Sequence, residues 1–110
     1  MPGKYILDEH GEPIAETDLM KWAHWIGDGN HTKVAHTIGT DADGAQVSVS
    51  TIFLGLDHAW GGGPPVLWET MIFGGVHHQD CERCAGSREQ ALAMHEASVA
   101  KLGLVNAFAE

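Results

Sequence analysis

A chain of 110 residues, 44% hydrophobic and 19% charged, has ordinary globular usage and enough length to bury a core without disulfides or metal, which argues against disorder outside its ends. Fifteen acidic against six basic residues give a formal charge of -9, which argues against nucleic acid and anionic membrane surfaces as partners, since both bind clustered Lys and Arg. No apolar run approaches the roughly 20 residues of a membrane helix, the N-terminus lacks the apolar segment of a secretion signal, and two cysteines make no disulfide framework; together these predict a cytoplasmic protein.

The first predicted element is a strand from Lys4 to Leu7, followed by a turn through Asp8, Glu9, His10, Gly11, Glu12 and Pro13. A helix then starts at an N-cap, Thr17, and stops at Gly27; Leu19, Trp22, Ala23 and Ile26 form its apolar stripe, which has to dock on a sheet. Trp22 belongs to that stripe and Trp25 to its margin, so the pair reads as core first and as a ligand box second. A strand from Lys33 to Thr40 leads into a turn at Asp41, Ala42, Asp43 and Gly44, and a second strand returns over Gln46 to Leu56. Along it Val47, Val49, Thr51 and Phe53 share one face, while Ile52, Leu54 and Leu56 make the other face apolar too, so its second half is buried on both faces or bulged. The next strand, Val66 to Phe73, is apolar on both faces except at Glu69, which fits either an exposed strand end or a ligand-facing acid.

The clearest boundaries belong to the last helix, Arg88 to Leu102, with a capping box at Ser87 and Gln90 and a stop at Gly103. Its stripe contains Ala91, Leu92, Val99 and Leu102, and His95 falls inside the stripe. That inward imidazole is either a hydrogen-bonded core group or a pocket residue. The order β-α-β-β-β-(β)-α predicts a single α+β domain, an antiparallel sheet of four or five strands with two helices, and residues 104–110 as a loose tail.

Two constellations carry candidate chemistry. The first is His77, His78, Cys81 and Cys84, which has the composition of half a zinc site. If Cys81 to Cys84 instead continues as a strand, the period of two sends the cysteines to opposite faces and no metal is shared; no metal or other cofactor is therefore assigned. The second is Asp57, His58, Trp60 and the loop of Gly61, Gly62, Gly63, Pro64 and Pro65. Its glycines can turn backbone amides toward an anion, and Asp57 beside His58 offers an acid/base pair. The same residues also suit a stiff connection between two long strands.

The run STIFLGLDHAWGGGPPVLWETMIFGG, with the opening KYILDEHGEPIAETDLMKWAHWI and a histidine in the final helix, resembles a group of small proteins encoded by bacteriophages and prophages. The resemblance covers most of the chain and departs from the group's pattern at Cys84, Ala85, Gly86, Ser87 and Arg88. It implies a phage origin and action in the cytoplasm of an infected bacterium, without implying a reaction. The expected function is a non-catalytic binding module that counters a host defence by holding a nucleotide-like ligand or a host protein. In this reading Trp25, Trp60 and Trp68 stack a base, the amides of Gly61 to Gly63 meet a phosphate, and Asp57, His58, Glu69 and His95 complete the site. Leftover apolar faces would form a homo-oligomer. The alternatives are a small hydrolase using His58 and His95 with acidic partners, and a regulatory or structural module that contacts a host protein.

Overall fold

The computed structural model describes residues 3–59 and 61–110. Nine elements follow in order: β1 (Tyr5–Leu7), β2 (Pro13–Ala15), α1 (Leu19–Gly27), β3 (Lys33–Thr40), β4 (Gln46–Phe53), β5 (Val66–Phe73), β6 (Cys81–Ala85), α2 (Arg88–Leu102) and β7 (Val105–Ala109). β3 to β7 build one antiparallel sheet in the order β6-β5-β4-β3-β7, and β1 and β2 form a separate hairpin. The chain is thus an α+β domain with two helices.

Short-range chemistry closes the turns. Asp41 Oδ1 accepts the N–H groups of Asp43 and Ala45 at 2.9 Å each, and Gly44 supplies the positive φ between β3 and β4. Asp8 does the same for His10 and Glu12 in the first hairpin. The hairpin is tied to the sheet where β4 ends, through Tyr5 N–H donating to the Gly55 carbonyl at 2.8 Å and a bridge between Lys4 and Leu56. Gly55, at φ +76°, breaks β4 three residues before the predicted end at Leu56.

α1 begins one residue later than predicted, because the Asp18 carboxylate, not Thr17, accepts the free N–H groups of Met20 and Lys21. Its docking face is Trp22, Trp25 and Ile26; Leu19 is 57% exposed and Ala23 is also exposed. The helix packs mainly on β1 and on Gly55 and touches the five-stranded sheet through Trp25: Trp22 Nε1–H donates to the Gly55 carbonyl at 3.0 Å, and Ile26 occupies the space where a Gly55 side chain would be. Only these three large side chains find a surface, Trp25 against Phe53 of β4.

α2 has the expected capping box at Ser87 and Gln90 and a left-handed Gly103. It lies across β3 to β6. Ala91, His95 and Ser98 are buried beneath it, with Met94, Val99 and Leu102 at the margins. Leu92 leaves the predicted stripe at 37% exposure, since it stands about 100° round the helix from Ala91. Residues 104–110 are not a loose tail. Over Val105–Ala109 they pair with β3, Thr37 opposite Ala109 and Ile38 opposite Phe108, which covers an edge that would otherwise hold open hydrogen bonds.

Two apolar clusters form the core, Phe53, Leu67, Trp68 and Ala91 in one, Val47, Val49 and Ile72 in the other. The strand β5 turns into the next segment at Gly74 (φ +91°), where an added Cβ would strike the carbonyl oxygen of Gln46. Gly74→Ala combines that clash with an unfavourable backbone and is expected to cost about 1–3 kcal/mol in urea unfolding, whereas an unchanged midpoint would show that the turn yields freely.

Candidate functional site

The alternation of β4 and β5 places one polar side chain on each apolar inner face, Thr51 between Val49 and Phe53, and Thr70 between Trp68 and Ile72. The two threonines are register partners, and their hydroxyls meet at 2.6 Å. Above them α2 brings down His95, 1% exposed, whose Nδ1 hydrogen-bonds to Thr51 Oγ1 at 2.7 Å while Nε2 hydrogen-bonds to Thr37 Oγ1 on β3 at 2.9 Å. A neutral imidazole has one donor and one acceptor nitrogen, and each hydroxyl can give or take, so both tautomers complete the chain Thr70, Thr51, His95, Thr37. Among the described residues no buried side-chain nitrogen or oxygen lacks a partner.

Burial pushes the His95 pKa below that of an ordinary imidazole, with Glu96 opposing the shift and His36 adding to it. The histidine is therefore neutral at pH 7. Thr51 also lines a cleft of about 570 Å³ together with Lys33, Val34, Ala35, His36, Ser50 and Glu110. The cleft opens where β7 ends, since the Glu110 N–H bonds the His36 carbonyl at 2.8 Å and the Lys33–Ala35 stretch of β3 has no β7 partner. A bulge between Lys33 and Ala35 widens it. His36 Nδ1 stands 3.6 Å from the Glu110 carboxylate.

The predicted residues fall in several places. His95 is in the buried network. Asp57 Oδ1 accepts the N–H groups of Ala59 at 2.7 Å and Val66 at 2.9 Å, which clamps the two ends of the glycine loop, and His58 donates its N–H to the Val66 carbonyl at 3.0 Å. Gly61, Gly62 and Gly63 are exposed with positive φ and open space around them. Trp60 lies outside the described residues. Trp68 is fully buried and donates its indole N–H to the Gly86 carbonyl at 2.8 Å, and Glu69 accepts from Arg83 at 2.8 Å. Trp25 meets Phe53 edge-on at 5.7 Å and stacks on His31 at 4.8 Å. No hydrogen bond among the described residues joins the loop to His95.

The second constellation is separated by register. Cys81 pairs with Met71 and Cys84 with Trp68, so the two thiols sit on opposite faces of β6, and burial raises the Cys84 pKa, keeping that thiol protonated. His77 Nδ1 bonds to Asp80 at 2.9 Å, and His78 Nδ1 accepts the Gly74 N–H. No three His, Cys, Asp or Glu side chains among the described residues are grouped to hold a metal ion.

Sequence reasoning missed Thr37, Thr51, Thr70, Lys33, His36, Ser50 and Glu110. For Thr51 and Thr70 a signal existed, a hydroxyl in each of two apolar faces matching the histidine in the helical stripe. The cleft had none, because it depends on where β7 stops. Compared with family models, curated proteins and solved structures, the chain matches none of them. The site is therefore read from its own chemistry.

Two outcomes follow from the network. Thr51→Val removes the partner of a buried imidazole nitrogen and of a buried hydroxyl at nearly constant volume, with an expected loss of about 1–3 kcal/mol in urea unfolding. The depressed His95 pKa means that the unfolded chain binds more protons than the folded one below about pH 6.5, so this contribution is full above that pH and declines as pH falls toward the folded pKa. His95→Asn is expected to flatten that acid-side decline; an unchanged slope would assign it to other groups.

Proposed function

We propose that this chain is a non-catalytic binding module of the phage-accessory type, acting as a homo-oligomer in a bacterial cytoplasm and holding a small nucleotide-like ligand in the cleft at the β3 edge. The observation that carries the reading is the engagement of its acid/base groups. Both His95 nitrogens, the Asp57 carboxylate and the Glu69 carboxylate are each bound to a structural partner. A general base or nucleophile needs a lone pair within reach of a substrate; the His95 nitrogens are buried, and the Asp57 and Glu69 carboxylates are engaged by partners within the chain.

The cleft has the opposite character. Its volume of about 570 Å³ lies in the range of small-ligand pockets, roughly 300–1,000 Å³. Lys33 and His36 supply cationic and hydrogen-bonding groups for a phosphate, and the Ser50 hydroxyl and the free backbone edge of β3 suit the polar rim of a base or ribose. Counteraction of a host defence by sequestering such a ligand fits the phage resemblance. A host protein docking at the same edge is the other form of this reading.

One observation favours a hydrolase instead, the 2.7 Å contact of Thr51 Oγ1 with His95 Nδ1, which has the spacing of a nucleophile and its base. Both groups are 1% exposed, so a substrate carbonyl reaches them only if α2 lifts. Native mass spectrometry of protein purified from an infected bacterium decides the matter. The expected result is an adduct of nucleotide mass whose affinity falls at least about tenfold, roughly 1.4 kcal/mol, in Lys33→Ala. A clean polypeptide mass overturns ligand capture, and turnover of a nucleotide ester lost in His95→Ala replaces it with hydrolysis.

A further inference from the structure

α2 covers one face of the five-stranded sheet, and among the described elements no helix covers the other. That second face is defined by register: Ile38 opposite Ser48, His36 opposite Ser50, Lys33 opposite Ile52, then Met71, Glu69 and Phe73 across β5. Phe108 of β7 extends it beside Ile38 and is 58% exposed. We infer that this face is the contact surface for a second copy of the chain, packed sheet to sheet.

Charge selects the occupant. The whole chain carries -9. On this face the carboxylates are Glu69 and Glu110, and they stand beside Arg83 at 2.8 Å and His36 at 3.6 Å, with Lys33 close by. Ile38, Ser48, Ser50, Met71 and Phe73 of this face are uncharged, while Ile52 stands between Lys33 and Glu69. Two strongly acidic molecules can approach closely only through a patch without net negative charge, and interface centres are depleted of charge for the same reason. Ser48 and Ser50 on the central strand are small enough to let a second sheet pack at about 10 Å, with Ile38, Ile52 and Met71 on either side as ridges.

Lys33, His36 and Ser50 belong to both the face and the cleft, so a second copy supplies one wall of the cleft and places the ligand site at the subunit boundary. That last consequence rests on the binding function proposed above; the interface does not.

Analytical ultracentrifugation tests the contact. A dimer with Kd of about 1 μM or tighter is expected, as for the weaker of the specific interfaces of standard size. Ile52→Glu places a second carboxylate opposite Glu69 on this face and is expected to weaken association at least a hundredfold, on the order of two powers of ten, while keeping a cooperative thermal transition. If Ile52→Glu does not melt cooperatively, Ser48→Lys takes its place. Val76→Lys, at a residue 82% exposed outside the strands, leaves the dimer intact. A wild-type monomer across the concentration range overturns the inference, as does a dimer that the folded face variant leaves unchanged. Ligand mass is read separately in the native spectra, so a failed interface and a failed binding function give different records.

Discussion

The seating of α2 on the sheet depends on one imidazole. Three buried residues of that helix, Ala91, His95 and Ser98, bring little apolar area, so directional hydrogen bonds from His95 to Thr51 and Thr37 fix its position along the strands where a larger apolar stripe would otherwise do so. The network also divides the core. Thr51 and Thr70 lie between the cluster of Phe53, Leu67 and Trp68 and the cluster of Val47, Val49 and Ile72, which makes a polar layer in the middle of a thin two-layer domain. A fully satisfied layer of this kind costs little and specifies one arrangement, whereas a charge or a missing hydroxyl there is left in a low dielectric.

The acidity of the chain has a structural part. Asp8, Asp18, Asp28, Asp41 and Asp57 each accept a backbone N–H at a turn or helix start. These carboxylates shape loops, and their charge repels polyanions as a by-product. Asp57 shows the effect on function most directly, since the residue whose position invited an acid/base assignment clamps Ala59 and Val66 at the two ends of the glycine loop. The binding reading follows from the same economy: His95, Asp57 and Glu69 are engaged within the chain, and Lys33, His36 and Ser50 line the cleft beyond the end of β7.

Much of the fold was legible. The capping box at Ser87, the left-handed Gly103, the Asp-Gly turn before β4 and the inward His95 are all local signals, each carried by residues within a few positions of one another. The opposite-facing cysteines were expected only if Cys81 to Cys84 continued as a strand, which β6 does. The Leu19 and Ala23 stripe was misleading because a helical period states which side chains share a face but not whether a sheet lies opposite. Of the site, His95 was visible and its partners were not: Thr51 is 44 positions away and Thr37 is 58.

By itself the sequence determined an α+β domain of acidic surface with two capped helices, tight aspartate turns and a histidine directed inward, because propensities, caps and periods act over one or two turns of chain. Tertiary structure decided that α1 packs on the first hairpin, that residues 105–109 complete the sheet, and that Thr37 and Thr51 meet His95 with Thr70 behind Thr51. Those outcomes depend on strand order and register, which bring together residues far apart in the chain, and a one-residue slip in either would have turned the hydroxyls to the opposite face.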